Sequence, residues 1–201
     1  MNKKEIVRRV LENNGGIAKT ADFVKEGLKN YELSVLCKEG FIERIQRGVY
    51  QFPHSNQITE EQLIQELLPQ GIVCVETALF HYGYCDFAPR KWSVAVPRTA
   101  FRSIKKMGSF PIKAYYIQKQ YFQIGKITDN FNGTTLAVYD RERTICDCFK
   151  YRTKLDSETF NKAINAYAQE KNKNLERLSQ YAKEMKLYNK IMNVMEVLLN
   201  G

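Results

Sequence analysis

The stretch 37-CKEGFIERIQRGVYQF-52 decides how the N-terminal part of this chain is read. It ends a helical run and crosses Gly40. It then alternates apolar and polar residues to Ile45, turns at Gln46-Arg47-Gly48 and alternates again to Phe52. Such alternation marks a half-buried strand. Gly48 can take the positive φ that a three-residue hairpin loop requires. The expected element is a small β-hairpin that carries Arg44 and Arg47 directly behind a helix.

The residues upstream supply that helix and two more. Ile6, Val7, Val10 and Leu11 share one face of a run over 3–13, which 13-NNGG-16 stops. Thr20 is expected to cap a short helix over 21–27, closed by Gly27, and Asn30 to cap a third over 31–39, ended by Gly40. In the third helix Leu33, Leu36 and Cys37 align, which leaves Tyr31, Ser34, Val35 and Lys38 pointing elsewhere. Three helices and a hairpin form the winged helix-turn-helix pattern, expected over residues 1–54, with the polar 53-PHSNQ-57 as its boundary. Residues 58–201 read as a larger mixed α/β domain ending in a helical bundle, so the fold class is α+β. Helices are expected over 60–68, 76–83 and 140–149 and in three C-terminal runs. Strands are expected over 72–75, 92–97, 112–117, 121–127 and 134–139.

Composition limits the function classes. The chain has 201 residues, 44% of them apolar, and a net charge of +9, which supports a real core and points to a polyanionic partner. The charge is uneven: +3 over 1–54, −4 over 55–85, +8 over 86–126 and +2 over 127–201. No apolar run approaches the roughly 18 residues that read as a membrane span, and MNKKEIVRRV lacks the apolar core of a signal peptide. A cytoplasmic protein without membrane contact is expected. Five cysteines argue against a disulfide framework there. Cys146-x-Cys148 lacks the two-residue spacer of common zinc pairs, and neither His54 nor His81 lies near it. No metal and no cofactor is expected, and Cys148 is read as filling an apolar helix face.

The N-terminal pattern has a mechanical reading. A helix-turn-helix lays its second helix in the major groove, with its N-terminal residues at base edges. Asn30, Tyr31, Ser34 and Lys38 are then the groove-facing candidates, and Val35 can touch a thymine methyl. Arg44 and Arg47 on the hairpin can neutralise phosphates and set register. The bland alternatives are solvated charges on a module used for protein contact, a cap-only Asn30, and a Tyr31 packed against the hairpin. Glu32, Glu39 and Glu43 lower the local potential and favour that side. A second phosphate-contacting surface is a candidate at Arg98, Arg102, Lys105 and Lys106, where cations are interleaved with aromatics. Its alternative is a half-buried sheet with snorkelling lysines, and 92-WSVAVP-97 suggests core packing for Trp92, Val94 and Val96.

Catalytic signals are thin, and no enzyme activity is expected. His81 reads as a packed helix residue. Asp140 and Asp156 read as helix caps and Asp147 as lying on the polar side of its helix. Gly108-Ser109 has no Asp-x-Asp pair at a useful distance behind it, and no phosphate-cradling glycine loop occurs.

The runs 15-GGIAKTADFVKEG-27 and 36-LCKEGFIERIQRGVYQFP-53 resemble the winged-helix opening of AbiEi-type antitoxins of type IV toxin–antitoxin systems, with Arg47-Gly48-Val49-Tyr50 the most diagnostic piece. The stretches 76-ETALFHYG-83, 93-SVAVPR-98 and 141-RERTICDCF-149 resemble the family's C-terminal domain. The resemblance implies a DNA-binding antitoxin and transcriptional autorepressor that binds repeats in its operon promoter. It also implies opposition to a nucleotidyltransferase-like toxin without a stable complex. On this resemblance the helix from Asn30 to Lys38 and the arginines Arg44 and Arg47 take the DNA role, while Glu32 and Glu39 depart from a cationic recognition helix. A protein–protein module that docks a partner through the winged helix is the competing function.

Overall fold

The computed structural model describes residues 2–53, 59–100, 104 and 110–200. The described chain forms two compact units: the first holds the residues up to Leu67 together with Ile104 and Phe110, and the second holds the rest from Leu68 on. Each contains helices and a sheet, so the architecture is α+β.

The first unit runs α1 (Lys3–Asn13), β1 (Ile17–Lys19), α2 (Thr20–Lys25), α3 (Asn30–Lys38), β2 (Glu43–Gln46), β3 (Val49–Gln51) and α4 (Glu60–Leu67). Asn2 caps α1: its side chain accepts from the Lys4 N–H at 3.1 Å, and Glu5 accepts from the Asn2 N–H. Asn14, Gly15 and Gly16 end that helix as expected, the two glycines at positive φ. The strands form an antiparallel sheet in the order β1-β3-β2. Strand β1 is an addition to the expected pattern, since three residues are too few to show an alternation. Val7, Leu11, Phe23, Leu33, Leu36 and Ile42 fill the core. The Phe23 ring meets Tyr50 edge-on at 5.8 Å, which ties α2 to the middle strand.

The second unit contains β4 (Ile72–Val73), α5 (Val75–His81), β5 (Trp92–Pro97), β6 (Ile112–Ile117), α6 (Lys119–Phe122), β7 (Lys126–Phe131), β8 (Thr134–Tyr139), α7 (Arg141–Lys150), α8 (Ser157–Gln169), α9 (Leu175–Glu184) and α10 (Tyr188–Asn200). Its five-stranded mixed sheet has the order β6-β5-β4-β8-β7, with β4 parallel to β8, β5 parallel to β6 and the other pairs antiparallel. Ile145, Ala163, Ile164, Tyr167, Leu178 and Ile191 bring helices α7 to α10 into one core.

Several expectations fail here. Residues 121–127 are not a strand. Tyr121 and Phe122 belong to α6, Gly125 turns the chain at φ +69, and the strand runs Lys126–Phe131. Gly125 is needed at that turn because a Cβ there would lie 2.4 Å from the Arg143 Cβ. The strand at 72–75 stops at Val73, because Val75 already opens α5 with φ +43. Asp147 is fully buried and not on a polar face. Its Oδ1 accepts from Arg143 Nε at 3.2 Å, one helical turn away. Arg143 is also buried. It donates to the carbonyls of Tyr121 and Ile124 at 2.6 and 2.9 Å and lies 4.1 Å from the Tyr139 ring. The pair thus turns inward because α6 and the turn after it supply acceptors there. Trp92 is only half-buried, whereas Val94 and Val96 are in the core. Asp140 and Asp156 do cap helices, accepting from the Arg143 and Thr159 N–H groups at 2.8 and 2.7 Å. Cys148 is buried on α7.

Candidate nucleic-acid interface

Helix α3 and the β2–β3 hairpin build the candidate site in the first unit. The helix begins without a capping side chain at the N-cap, since Lys29 occupies that position and Asn30 is already helical. The start is fixed from within instead. Glu32, at the third helical position, accepts from the Lys29 N–H at 2.7 Å, the reach-back half of a capping box. Helix α2 repeats the device, with Asp22 accepting from the Lys19 N–H at 2.9 Å. Thr20 and Asn30 are therefore not caps, and the cap-only reading of Asn30 fails. Its side chain is released to the surface.

At about 100° per residue, Asn30, Ser34, Lys38, Tyr31 and Val35 fall within one arc of about 140°. All five are exposed, Tyr31 at 61% and Val35 at 47%. Leu33 and Leu36 on the opposite side are buried. Helix α3 thus keeps its apolar stripe inward and offers a whole face to solvent.

The hairpin stands beside this face. Arg44 pairs in register with Tyr50 and Gln46 with Val49, so Ile45 is an extra residue that interrupts the alternation. Arg47 and Gly48 make the turn, with Gly48 at φ +82. The turn is held to the start of α2: the Thr20 N–H donates to the Gly48 carbonyl at 2.9 Å, and the Thr20 hydroxyl reaches the same oxygen at 3.4 Å. Arg44 and Arg47 are exposed. A groove of about 390 Å³ lies between helix and hairpin, lined by Thr20, Asn30, Ser34, Arg44, Arg47, Gly48 and Tyr50. Four predicted residues meet there: Asn30, Ser34, Arg44 and Arg47. Thr20, Gly48 and Tyr50 join them. The sequence marks Thr20 and Gly48 only as a cap and a turn, because their partnership spans 28 residues.

Tyr31 and Val35 sit on the other flank of the arc. They line a second groove of about 470 Å³ with Asn2, Lys3, Lys4, Glu32, Leu36 and Glu39. The alternative of a Tyr31 packed against the hairpin therefore fails. Lys38 is exposed at the end of α3 and lines neither groove.

The carboxylates that weaken the local potential have partners in the fold. Glu32 meets Lys3 Nζ at 2.8 Å, and Glu39 meets Lys4 at 3.1 Å. Glu43 accepts from the Gln51 amide across the hairpin. The Lys29 N–H bond, then the Lys3 ammonium, hold the Glu32 carboxyl below the usual carboxylate range. Glu32 and Glu39 thus tie α3 to α1, and Glu43 ties β2 to β3.

Of the second candidate surface, Arg98 is exposed in a single 3-10 turn after β5, in the second unit. Arg102, Lys105 and Lys106 lie outside the described residues, as do Gly108, Ser109 and His54. Among the described residues no cluster of His, Cys, Asp or Glu is arranged to hold a metal ion. His81 packs as a helix residue, stacked on Phe131 at 4.0 Å and hydrogen-bonded to Asp129 at 2.9 Å. No described helix is long and apolar enough to cross a membrane.

Comparison with known proteins bears on fold and family separately. The crystal structure of the RV2827C protein from Mycobacterium tuberculosis is similar in fold, with a TM-score of 0.65 at 13% identity. The match covers 96% of this chain and 80% of that one. No curated protein matches the sequence. Residues 5–53, which contain α3 and the hairpin, match the model of the transcriptional regulator family of AbiEi antitoxins.

Proposed function

We propose that the chain is a DNA-binding antitoxin and transcriptional autorepressor of a type IV toxin–antitoxin operon. In this reading the first unit is a winged helix-turn-helix. Helix α3 enters the major groove, Asn30 and Ser34 reach base edges, and Val35 and Tyr31 make apolar contacts. Arg44 and Arg47 grip the flanking phosphates. The single observation that carries the reading is the shared groove. It brings the N-terminal residues of α3 and both hairpin arginines together on one exposed face, over the segment that matches the family model. The chain acts in the cytoplasm, is not an enzyme and needs no cofactor. It opposes a nucleotidyltransferase-like toxin without forming a stable complex with it.

Footprinting on the DNA upstream of the chain's own coding sequence tests this. The proposal expects protected repeats and repression of a reporter driven by that region. Absence of protection at 50 mM salt, with the protein folded, rejects it.

One observation favours a second reading, a module that docks a protein partner. Tyr31 and Val35 are large, apolar and exposed beside the α1–α3 groove. Retention of a stoichiometric protein partner, lost on Tyr31→Ala and accompanied by no DNA retention at moderate salt, selects that reading.

A further inference from the structure

In the second unit three lysines surround one pair of tyrosines. Tyr115 and Tyr151 meet edge-on with ring centroids 4.7 Å apart. Lys154 Nζ lies 5.2 Å from both centroids. Lys113 Nζ lies 5.5 Å from the Tyr115 centroid, and Lys150 Nζ 5.5 Å from that of Tyr151 and 5.1 Å from that of Tyr121. Lys113 comes from β6, Lys150 ends α7, and Lys154 follows in the 3-10 turn Arg152–Lys154. Lys150 and Lys154 are exposed.

The charge around these ammonium groups is poorly balanced. Glu76 is bonded to Lys113 and accepts from the Tyr115 hydroxyl at 2.8 Å. The C-terminus of α7 adds the equivalent of roughly half a negative charge. The buried Asp147 is matched by Arg143. Among the described residues, three ammonium groups thus lie beside one carboxylate, Glu76, and the partial negative charge of a helix end. Ring faces attract ammonium groups only weakly at exposed sites, so aromatic contact does not replace the missing charge. An anion does.

The border of the cluster limits the anion's shape. Glu76 also lines a cleft of about 380 Å³ with Asp156, Glu158 and Asp86, of which, among the described residues, Asp86 alone is ion-paired, with Lys162 of the same cleft. A long polyanion laid across the lysines toward that edge meets carboxylates, whereas a compact one does not.

We propose that Lys113, Lys150 and Lys154 form a binding site for a compact phosphoanion, a short polyphosphate chain, either free or as the tail of a nucleoside triphosphate. The site is separate from the α3 groove and does not depend on its DNA role. Calorimetric titration of the full chain with sodium tripolyphosphate, ATP and AMP at low salt tests it. Lys150→Gln/Lys154→Gln is the variant, since both side chains are exposed and Glu76 keeps Lys113; an unchanged melting temperature confirms that it folds. The proposal expects saturable one-to-one binding of tripolyphosphate, at least tenfold weaker in the double variant and unchanged in Arg47→Ala. AMP should bind at least tenfold more weakly than ATP. ATP equal to tripolyphosphate identifies the bare chain as the ligand, and ATP clearly tighter identifies a nucleotide. The proposal is overturned by absence of saturable binding, or by affinity in the double variant within twofold of the parent. An equal loss in Arg47→Ala, or a double variant that loses only duplex DNA, overturns it as well.

Discussion

Removing the hairpin arginines gives the sharpest arithmetic. Arg44 and Arg47 are exposed and line the same groove as Asn30 and Ser34. Each is therefore assigned one phosphate. Neutralising a phosphate of B-DNA releases counterions, and log K falls with log salt by about 0.9 per contact. Arg47→Ala should reduce the slope by about 0.9, and Arg44→Ala/Arg47→Ala by about 1.8. Between 50 and 200 mM salt the parent then loses about 3.5-fold more affinity than the single variant and about 12-fold more than the double. The loss should be the same on specific and random duplexes, because phosphates carry no sequence. Fluorescence anisotropy with a labelled duplex at four or five salt concentrations gives the slopes. A double variant whose slope matches the parent's would show that neither guanidinium touches the backbone, and the assignment of the hairpin would be wrong.

Other perturbations test the same account. Asn30→Ala should cost about 1–3 kcal/mol at one base position, read by competition with single-base operator variants; an equal loss on random DNA would assign Asn30 a structural role only. Gly48→Ala places a Cβ at φ +82 and 3.3 Å from the Thr20 hydroxyl, so urea unfolding should show a loss of about 1–2 kcal/mol. A neutral result would mean that the hairpin turn relaxes freely. Glu32 has its carboxyl pushed down in the folded chain, so its stabilising share is present above the ordinary carboxylate range and lost as pH falls through the folded value. Glu32→Gln should therefore flatten the acid limb of thermal stability against pH, and an unchanged limb would remove Glu32 from the account. Arg143→Met leaves Asp147 buried without its cation and should destabilise the second unit by about 3–5 kcal/mol. Adding Asp147→Leu should recover much of that loss in chemical denaturation, whereas a double variant no more stable than the single would argue that Arg143 acts through the Tyr121 and Ile124 carbonyls alone.

Much of the first unit can be read from residues because its signals are local. The helix ends at Asn13-Asn14 and Gly40 follow from backbone preferences, and the hairpin follows from alternation around Gly48. The exposed arc of α3 follows from the apolar spacing of Leu33 and Leu36. What escapes is non-local. Nothing near Thr20 announces that the hairpin turn rests on it, and nothing in α3 shows that Lys3 and Lys4 satisfy Glu32 and Glu39. The second unit is harder for the same reason. The alternation in 121-YFQIGKI-127 imitates a strand, while the true hairpin is announced by Asn132-Gly133, both at positive φ, a strong turn signal between strands. Asp147 looks solvent-facing on a helical wheel because its partner, Arg143, is also polar. The wheel cannot see that α6 and the turn after it supply acceptors on the inner side.

Amide NMR mapping of the full chain during titration with duplex DNA from its own upstream region shows which residues the duplex touches. The largest shift changes should fall on Asn30–Lys38 and on Arg44–Gly48, with Leu33 and Leu36 moving less than the exposed arc. Largest changes elsewhere in the chain, with α3 and the hairpin silent, would contradict the proposed DNA contact.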